Sequence, residues 1–302
     1  MAINLNAKFE AMDRIVRSLF AEALAKPEYA AKSMGIIEEV DSEDLSEDYN
    51  WMLDTFGFRK LKQNLPKKTA VEKRVTITNE PWVDNLTVDL RTMKTRQGAK
   101  YELTAKMMGR KVGPFIDNQV RGLLGATGKA FTENSWDGVP FFDDAHPMAE
   151  GTTYSNLTAG AGAPWFLFDT SVIKPMVMQW LERPYEEAFG PDTEWSKNNR
   201  EVKWDFHMDM GLGMTLWWYA QASKATLNEA NFQAALVKAM QVPTYATIEG
   251  EAQMMGVMPS LLVVGASNLL AAQKILNATL VANGESNVLY KTVDLLVLPT
   301  LA

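Results

Sequence analysis

Asp143-Asp144-Ala145-His146-Pro147 sets two carboxylates beside an imidazole, as a metal site or an acid–base pair would need. The same residue types ahead of a proline are also ordinary turn formers, whose side chains accept backbone N–H bonds. A turn is therefore expected, with a hydrolase built on Asp143 and His146 as the competing reading. Asp205, His207 and Asp209 alternate along a strand-like run and so share one face. Their i, i+2 spacing of roughly 7 Å is wide for one small ion, so a solvated or intersubunit polar face is expected. The run from Gly122 to Lys129 has the glycines of a phosphate loop but not its order. Leu123 takes the place of the first glycine, and Ala130 stands where a Ser or Thr would hold magnesium. It also follows a helix where that loop follows a strand, so it reads as a glycine-rich helix end. No serine sits in a nucleophile elbow. Cysteine is absent and there are only two histidines, which excludes disulfides, thiolate metal sites and a multi-histidine metal site within one chain. The expectation is no catalytic, metal or cofactor-binding residue.

The elements around these residues belong to a chain rich enough in apolar residues for a large core: 302 residues, 47% hydrophobic. The first residues, broken early by Lys8, Glu10 and Asp13, are not expected to act as a secretory signal. No window reaches the roughly 18 apolar residues of a membrane helix, so a soluble protein without a membrane partner is expected. Net charge is −7, which argues against general nucleic-acid binding. Its distribution is uneven: −7 over residues 1–54, +10 over 55–129 and −10 over 130–302. A basic middle between acidic ends suits a surface that meets an acidic face of a neighbouring copy.

Leu5, Phe9, Met12, Val16 and Leu19 recur at helical spacing, giving an amphipathic helix that Pro27 ends. It could pack on its own core or grip a partner. The acid-rich run 38–48 reads as exposed and mobile, separating that helix from the body. Between Trp51 and Arg91 the period becomes two. Val71, Val75 and Ile77 form one run, Leu86, Val88 and Leu90 a second, and Asn79-Glu80-Pro81 punctuates them, which predicts a β-hairpin. Residues 97–125 return to helical spacing through Met108, Val112, Ile116 and Val120, with Pro114 inside and a bend expected there. Residues 151–164 are small and polar and read as a flexible loop. Strands follow at 165–168, 173–180 and 202–210. Thr226-Leu-Asn-Glu229 predicts a capping box before a helix over 230–241. A buried strand at 261–264, a helix capped by Ser267, and a strand over 288–298 complete the chain.

Several segments together resemble one family, the major head subunit of Mu-like phages and prophages. They include Tyr49-Asn-Trp51, Ile77-Thr-Asn79, Met108-Gly-Arg110, FFDDAHP over 141–147, WFLFDT over 165–170, GLGMTLW over 211–217, LNEAN over 227–231, Leu261–Val264 and the terminal LVLPTLA. They keep the family's order from residue 49 to 302, while the first 48 residues match poorly. The resemblance implies an α+β, Hong Kong 97-type capsid fold. Its parts would be an N-terminal arm over 1–48, an E-loop β-hairpin over 49–95, a peripheral domain over 96–225 with its spine helix at about 97–125, and an axial domain over 226–302. It also implies a major capsid protein, not an enzyme, that assembles with itself into hexamers and pentamers of an icosahedral shell. Assembly would take place in the bacterial host cytoplasm, with scaffolding protein, maturation protease and portal as partners and double-stranded DNA enclosed without sequence-specific binding. An encapsulin-like compartment of the same fold is the alternative. Within that frame Lys67, Lys68, Lys73 and Arg74 are the candidate intersubunit contacts, and Pro114 is the candidate spine bend.

Overall fold

The computed structural model describes residues 4–24, 35–52, 72–95, 99–125, 135–148, 151–244, 253–280 and 284–301. Two sheets carry the fold. The first holds four strands in the order β1-β9-β10-β4: β1 (Ile37–Asp41), β9 (Met176–Phe189), β10 (Glu201–Met214) and β4 (Glu80–Asp89). Only β1 runs parallel to its neighbour. The long antiparallel pair β9–β10 follows from its composition, since Trp180, Val202, Trp204, Phe206 and Met210 alternate with polar residues and are buried. Pro81 falls at the start of β4, an edge strand, the kind of position where a sheet tolerates proline.

Two helices cover one face of this sheet. In α1 (Leu5–Leu24), Met12, Val16 and Phe20 are buried against Leu86, Val88, Val202, Trp204 and Phe206. Phe9 stacks on Trp204 at 5.2 Å, and the Trp204 indole N–H donates to Asp13 at 2.9 Å. The helix therefore packs on its own body. The acid-rich run after it is not a mobile spacer: β1 lies in the first sheet, and Ser46 begins β2 (Ser46–Met52). The second helix, α2 (Ala99–Leu123), is one unbroken rod of 25 residues, about 37 Å at 1.5 Å per residue. Its buried Met108, Ile116 and Val120 form the predicted stripe.

The predicted hairpin is paired differently. β3 (Glu72–Thr78) pairs antiparallel with β2, not with β4. Asn79 is no turn; the chain passes through it from β3 directly into β4, which pairs with β10. Alternation identified both strands correctly, but it carries no information about partners more than a hundred residues away. Residues 53–71, between β2 and β3, lie outside the described residues.

The second sheet has the order β13-β12-β8-β11-β7, built from β13 (Asp294–Val297), β12 (Leu261–Val264), β8 (Trp165–Phe168), β11 (Ala220–Ser223) and β7 (Leu157–Thr158). Its central strands β8 and β12 are buried on both faces and read as continuous apolar runs. Phe166, Phe168 and Val263 face the core that includes Ile116 and Val120 of α2. Trp165, Leu167, Leu262 and Val264 face α4 (Glu229–Met240) and α5 (Leu269–Leu276) on the other side. Caps differ from expectation: Asn228, not Thr226, accepts from Asn231 N to open α4, and Ser267 does not cap α5, whose N-cap is Asn268. The last strand is only Asp294–Val297.

The stretch 151–164 is not a loose loop. It contains β6 (Thr153–Tyr154), paired with β5 (His146–Pro147), and then β7. A Cβ on Gly160 would lie 2.2 Å from Lys224 O, so only glycine fits. Lys238 of α4 donates to Ser155 Oγ at 3.1 Å and Leu157 O at 3.0 Å, and burial pushes its ammonium down from the usual lysine range. Tyr154 donates to Lys238 O at 2.6 Å, and burial pushes its phenol up to about 12. Small polar residues here serve close packing.

Candidate functional site

Arg74 is the one candidate contact whose side chain is described; Lys67 and Lys68 lie outside the described residues, as does the side chain of Lys73. Arg74 is 70% exposed and reaches Asp48 Oδ2 across the hairpin at 3.1 Å. Asp48 also accepts from Thr76 Oγ1 at 2.5 Å. Part of the basic charge is thus met by β2 of the same chain, and the guanidinium still faces solvent.

The base of this hairpin is held by a buried amide pair that the sequence reading did not single out. Gln179 on β9 is fully buried and donates to Ile77 O at 3.0 Å and Asn79 Oδ1 at 2.9 Å. Its Oε1 accepts from Tyr49 OH at 3.0 Å. Asn79 in turn donates to Ser42 Oγ at 2.9 Å and Asp44 O at 2.7 Å. Glu47 accepts from Ser42 Oγ and from Glu43 N, which holds its carboxyl below the usual range. A buried glutamine in the apolar run MVMQW was the available signal, because a buried amide needs its partners built around it.

Pro114 sits on the exposed side of α2, and Asn118 Nδ2 donates to its carbonyl at 2.9 Å. It borders a groove of about 420 Å3 between α2 and the β4–β10 edge, lined by Trp82, Val83, Met108, Phe115 and Met208. Trp82 and Phe115 meet edge-on with centroids 4.8 Å apart.

His146 and Asp143 are not brought together as a catalytic pair. Asp143 Oδ1 accepts from Ala145 N at 2.8 Å, the turn role expected of it. His146 is fully buried; its Nδ1 lies 2.7 Å from Asp137 Oδ2 and its Nε2 3.1 Å from Asn156 Oδ1. The Asn156 amide is oriented by three other bonds: Nδ2 donates to Phe141 O and Trp217 O, and Oδ1 accepts from Asp143 N. Both ring nitrogens are therefore engaged by oxygen atoms of the same chain. The ring stacks on Trp217 at 4.0 Å. Both nitrogens are committed to these contacts and the ring has no solvent access, which suits a structural role.

The Asp205, His207 and Asp209 face is also polar without being a metal centre. Asp205 is bonded to Lys203, and His207 stacks on Tyr185 at 5.2 Å. Burial, and then the neighbouring Glu182, raises the Asp209 carboxyl above the usual range. Among the described residues no group of three or more His, Asp or Glu side chains is placed to hold a metal ion. Gly122 closes the last turns of α2 as a helix end, and residues 126–130 lie outside the described residues. No described helix is long and apolar enough to cross a membrane.

The family model described as "Mu-like prophage major head subunit gpT" matches residues 9–301. The chain is 24% identical over 275 residues to the Mu-like prophage FluMu major head subunit of Haemophilus influenzae, covering 86% of each. It is 25% identical over 265 residues to the major capsid protein of Escherichia phage Mu, covering 82% of this chain and 83% of that protein. Among solved structures it resembles a chain of the procapsid of bacteriophage JBD30 with TM-score 0.77 and 26% identity, covering 96% of this chain and 98% of that one. A chain of the JBD30 capsid gives TM-score 0.76 at 19% identity. The fold is that of phage major capsid proteins, and the family is structural, not enzymatic. With its match running from residue 9 to residue 301, the chain belongs to the Mu-like prophage major head subunit gpT family.

Proposed function

We propose that this major capsid protein builds an icosahedral phage head by forming hexamers and pentamers with copies of itself. The observation that carries the reading is the nearly end-to-end likeness to a procapsid chain, at TM-score 0.77 over 96% of the sequence. In this reading α2 is the spine of a peripheral domain over about 96–225, residues 226–302 form an axial domain around the capsomer axes, and β2–β3 is the base of an E-loop. That loop reaches onto a neighbour's spine and peripheral sheet, with Lys67, Lys68, Lys73 and Arg74 facing acidic surface there. The shell grows around scaffolding protein in the host cytoplasm, is processed by a maturation protease, and is filled with double-stranded DNA through a portal. A net charge of −7 supports passive enclosure, since a lining that gripped DNA would oppose packaging. The encapsulin-like alternative is not favoured, because the family model matched is that of a phage head subunit.

Negative-stain microscopy of the purified chain across a concentration series, with and without a co-expressed scaffolding protein, tests the reading. Rings, tubes or closed shells are expected. Monomers alone under every condition would overturn it.

A further inference from the structure

The hairpin leaves the body where β3 crosses β10 at Gly211-Leu212-Gly213. A Cβ on Gly211 would lie 2.7 Å from Thr78 O and 2.9 Å from Ile77 Cγ2. On Gly213 it would lie 2.6 Å from both Ile77 Cδ1 and Cγ1. Neither glycine has a positive φ, so space and not backbone freedom demands glycine here. Ordinary contact begins at 3.4 Å, so a methyl group at Gly213 drives Ile77 back by about 1 Å or forces β3 off β10. One strand over, Gln179 spends both amide hydrogens on Ile77 O and Asn79 Oδ1 and its oxygen on Tyr49 OH. It thus ties both strands of the hairpin, β2 through Tyr49 and β3 through Ile77, to the centre of the four-stranded sheet. A flipped amide would oppose its oxygen to two acceptors, so the orientation is determined.

We propose that Gly211, Gly213 and Gln179 are positioning residues for the hairpin: the glycine notch and the amide clamp set the direction in which β2–β3 leaves the subunit, and so where it meets a neighbouring copy. The clause about the neighbour rests on the assembly reading above; the clause about direction does not. An amide network that served only to fill the core would change stability when lost, without redirecting the hairpin.

The absence of native cysteine allows a direct measurement. Asn50→Cys on β2 and Lys197→Cys on α3 (Glu194–Asn199), both exposed, carry nitroxide labels in the full-length chain. Labelled protein is diluted into unlabelled protein so that only the distance within one chain is read by pulsed electron paramagnetic resonance. Gly213→Ala and, separately, Gln179→Met are expected to displace or broaden this distribution while circular dichroism keeps the native sheet and helix signal, and closed shells are lost. Adding Ile77→Ala to Gly213→Ala removes the atoms the new methyl would strike and should return the distribution to its original position. An unchanged distribution in both folded variants overturns the proposal. So does failure of both variants to fold, which would assign these residues to folding alone. A shifted distribution with normal shells upholds the positioning role and overturns instead the reading that the hairpin's direction governs assembly.

Discussion

At the scale of single residues, His146 shows how a catalytic-looking motif becomes structure. Burial removes the ring from water, and Asp137, Asn156 and the Trp217 face replace what water supplied. Removing one member of such a network leaves its polar partners buried and unsatisfied, at a cost of about 1–3 kcal/mol for each group. His146→Leu should therefore lower unfolding stability by about that amount or more in urea titrations. Asp137→Asn added to His146→Leu should recover part of the loss, because it discharges the orphaned carboxylate. Asp209 behaves in the opposite sense. Its carboxyl is raised in the folded chain by burial and by Glu182, so the folded state favours the protonated form. The associated stability is complete below the ordinary aspartate range of about 4 and is lost as pH rises through the raised folded value. Asp209→Asn should then stabilise the subunit near neutral pH and give no gain at pH 3. A gain of equal size at both pH values would refute the electrostatic account.

At the scale of elements, α1 and α2 carry the predictions. An N-terminal helix that served assembly alone could be deleted without harm to folding. The observed α1 instead buries Met12, Val16 and Phe20 on the sheet. At about 1.5–3 kcal/mol for each fully buried side chain, their loss is comparable with the whole stability of a typical domain. Removing residues 1–24 should therefore abolish cooperative melting or expose an apolar face that aggregates, measured by calorimetry and light scattering. A truncated chain that melts like the full one would restore the arm reading. Pro114 removes one backbone donor from α2, yet the helix continues through it. Proline inside a helix costs about 3 kcal/mol, so Pro114→Ala should raise the subunit's melting temperature. A bend used by the shell would appear as altered expansion of Pro114→Ala particles in electron microscopy, and unchanged expansion would show that the proline has no such role.

At the scale of the whole molecule, charge is unevenly distributed along the chain. The Arg74–Asp48 pair is exposed and contributes at most about 1 kcal/mol, while residues 55–129 as a whole carry +10. Reversing Lys67, Lys68, Lys73 and Arg74 to Glu should leave melting nearly unchanged, less the small loss of facing Asp48 with a like charge. It should block capsomer or shell formation. High salt should slow wild-type assembly for the same reason, because screening shortens the reach of exposed charges to about 3 Å at 1 M. Normal shells from the four-fold variant would mean that apolar contacts and backbone pairing position the hairpin and that its charge is incidental.

What the sequence determined by itself was whatever depends on local period and composition. The stripe of α1, the long helix through Pro114, and the strands at 165–168, 202–210 and 261–264 follow from spacing and residue type. The ordered set of family segments supplied the fold. Long-range partnership was decided only in three dimensions. Alternation over 71–90 marked two strands, but β3 found β2 and β4 found β10 because pairing depends on surfaces brought together by the rest of the chain. The run 38–48 looked solvated because acidic residues outnumber apolar ones, yet Ile37 and Val40 suffice to seat β1 beside β9. Residues 151–164 looked loose because small residues lack side-chain contacts of their own. The tertiary structure uses that smallness to press backbone against backbone at Gly160 and Lys224, and the same physics places Gly211 and Gly213 beneath the hairpin.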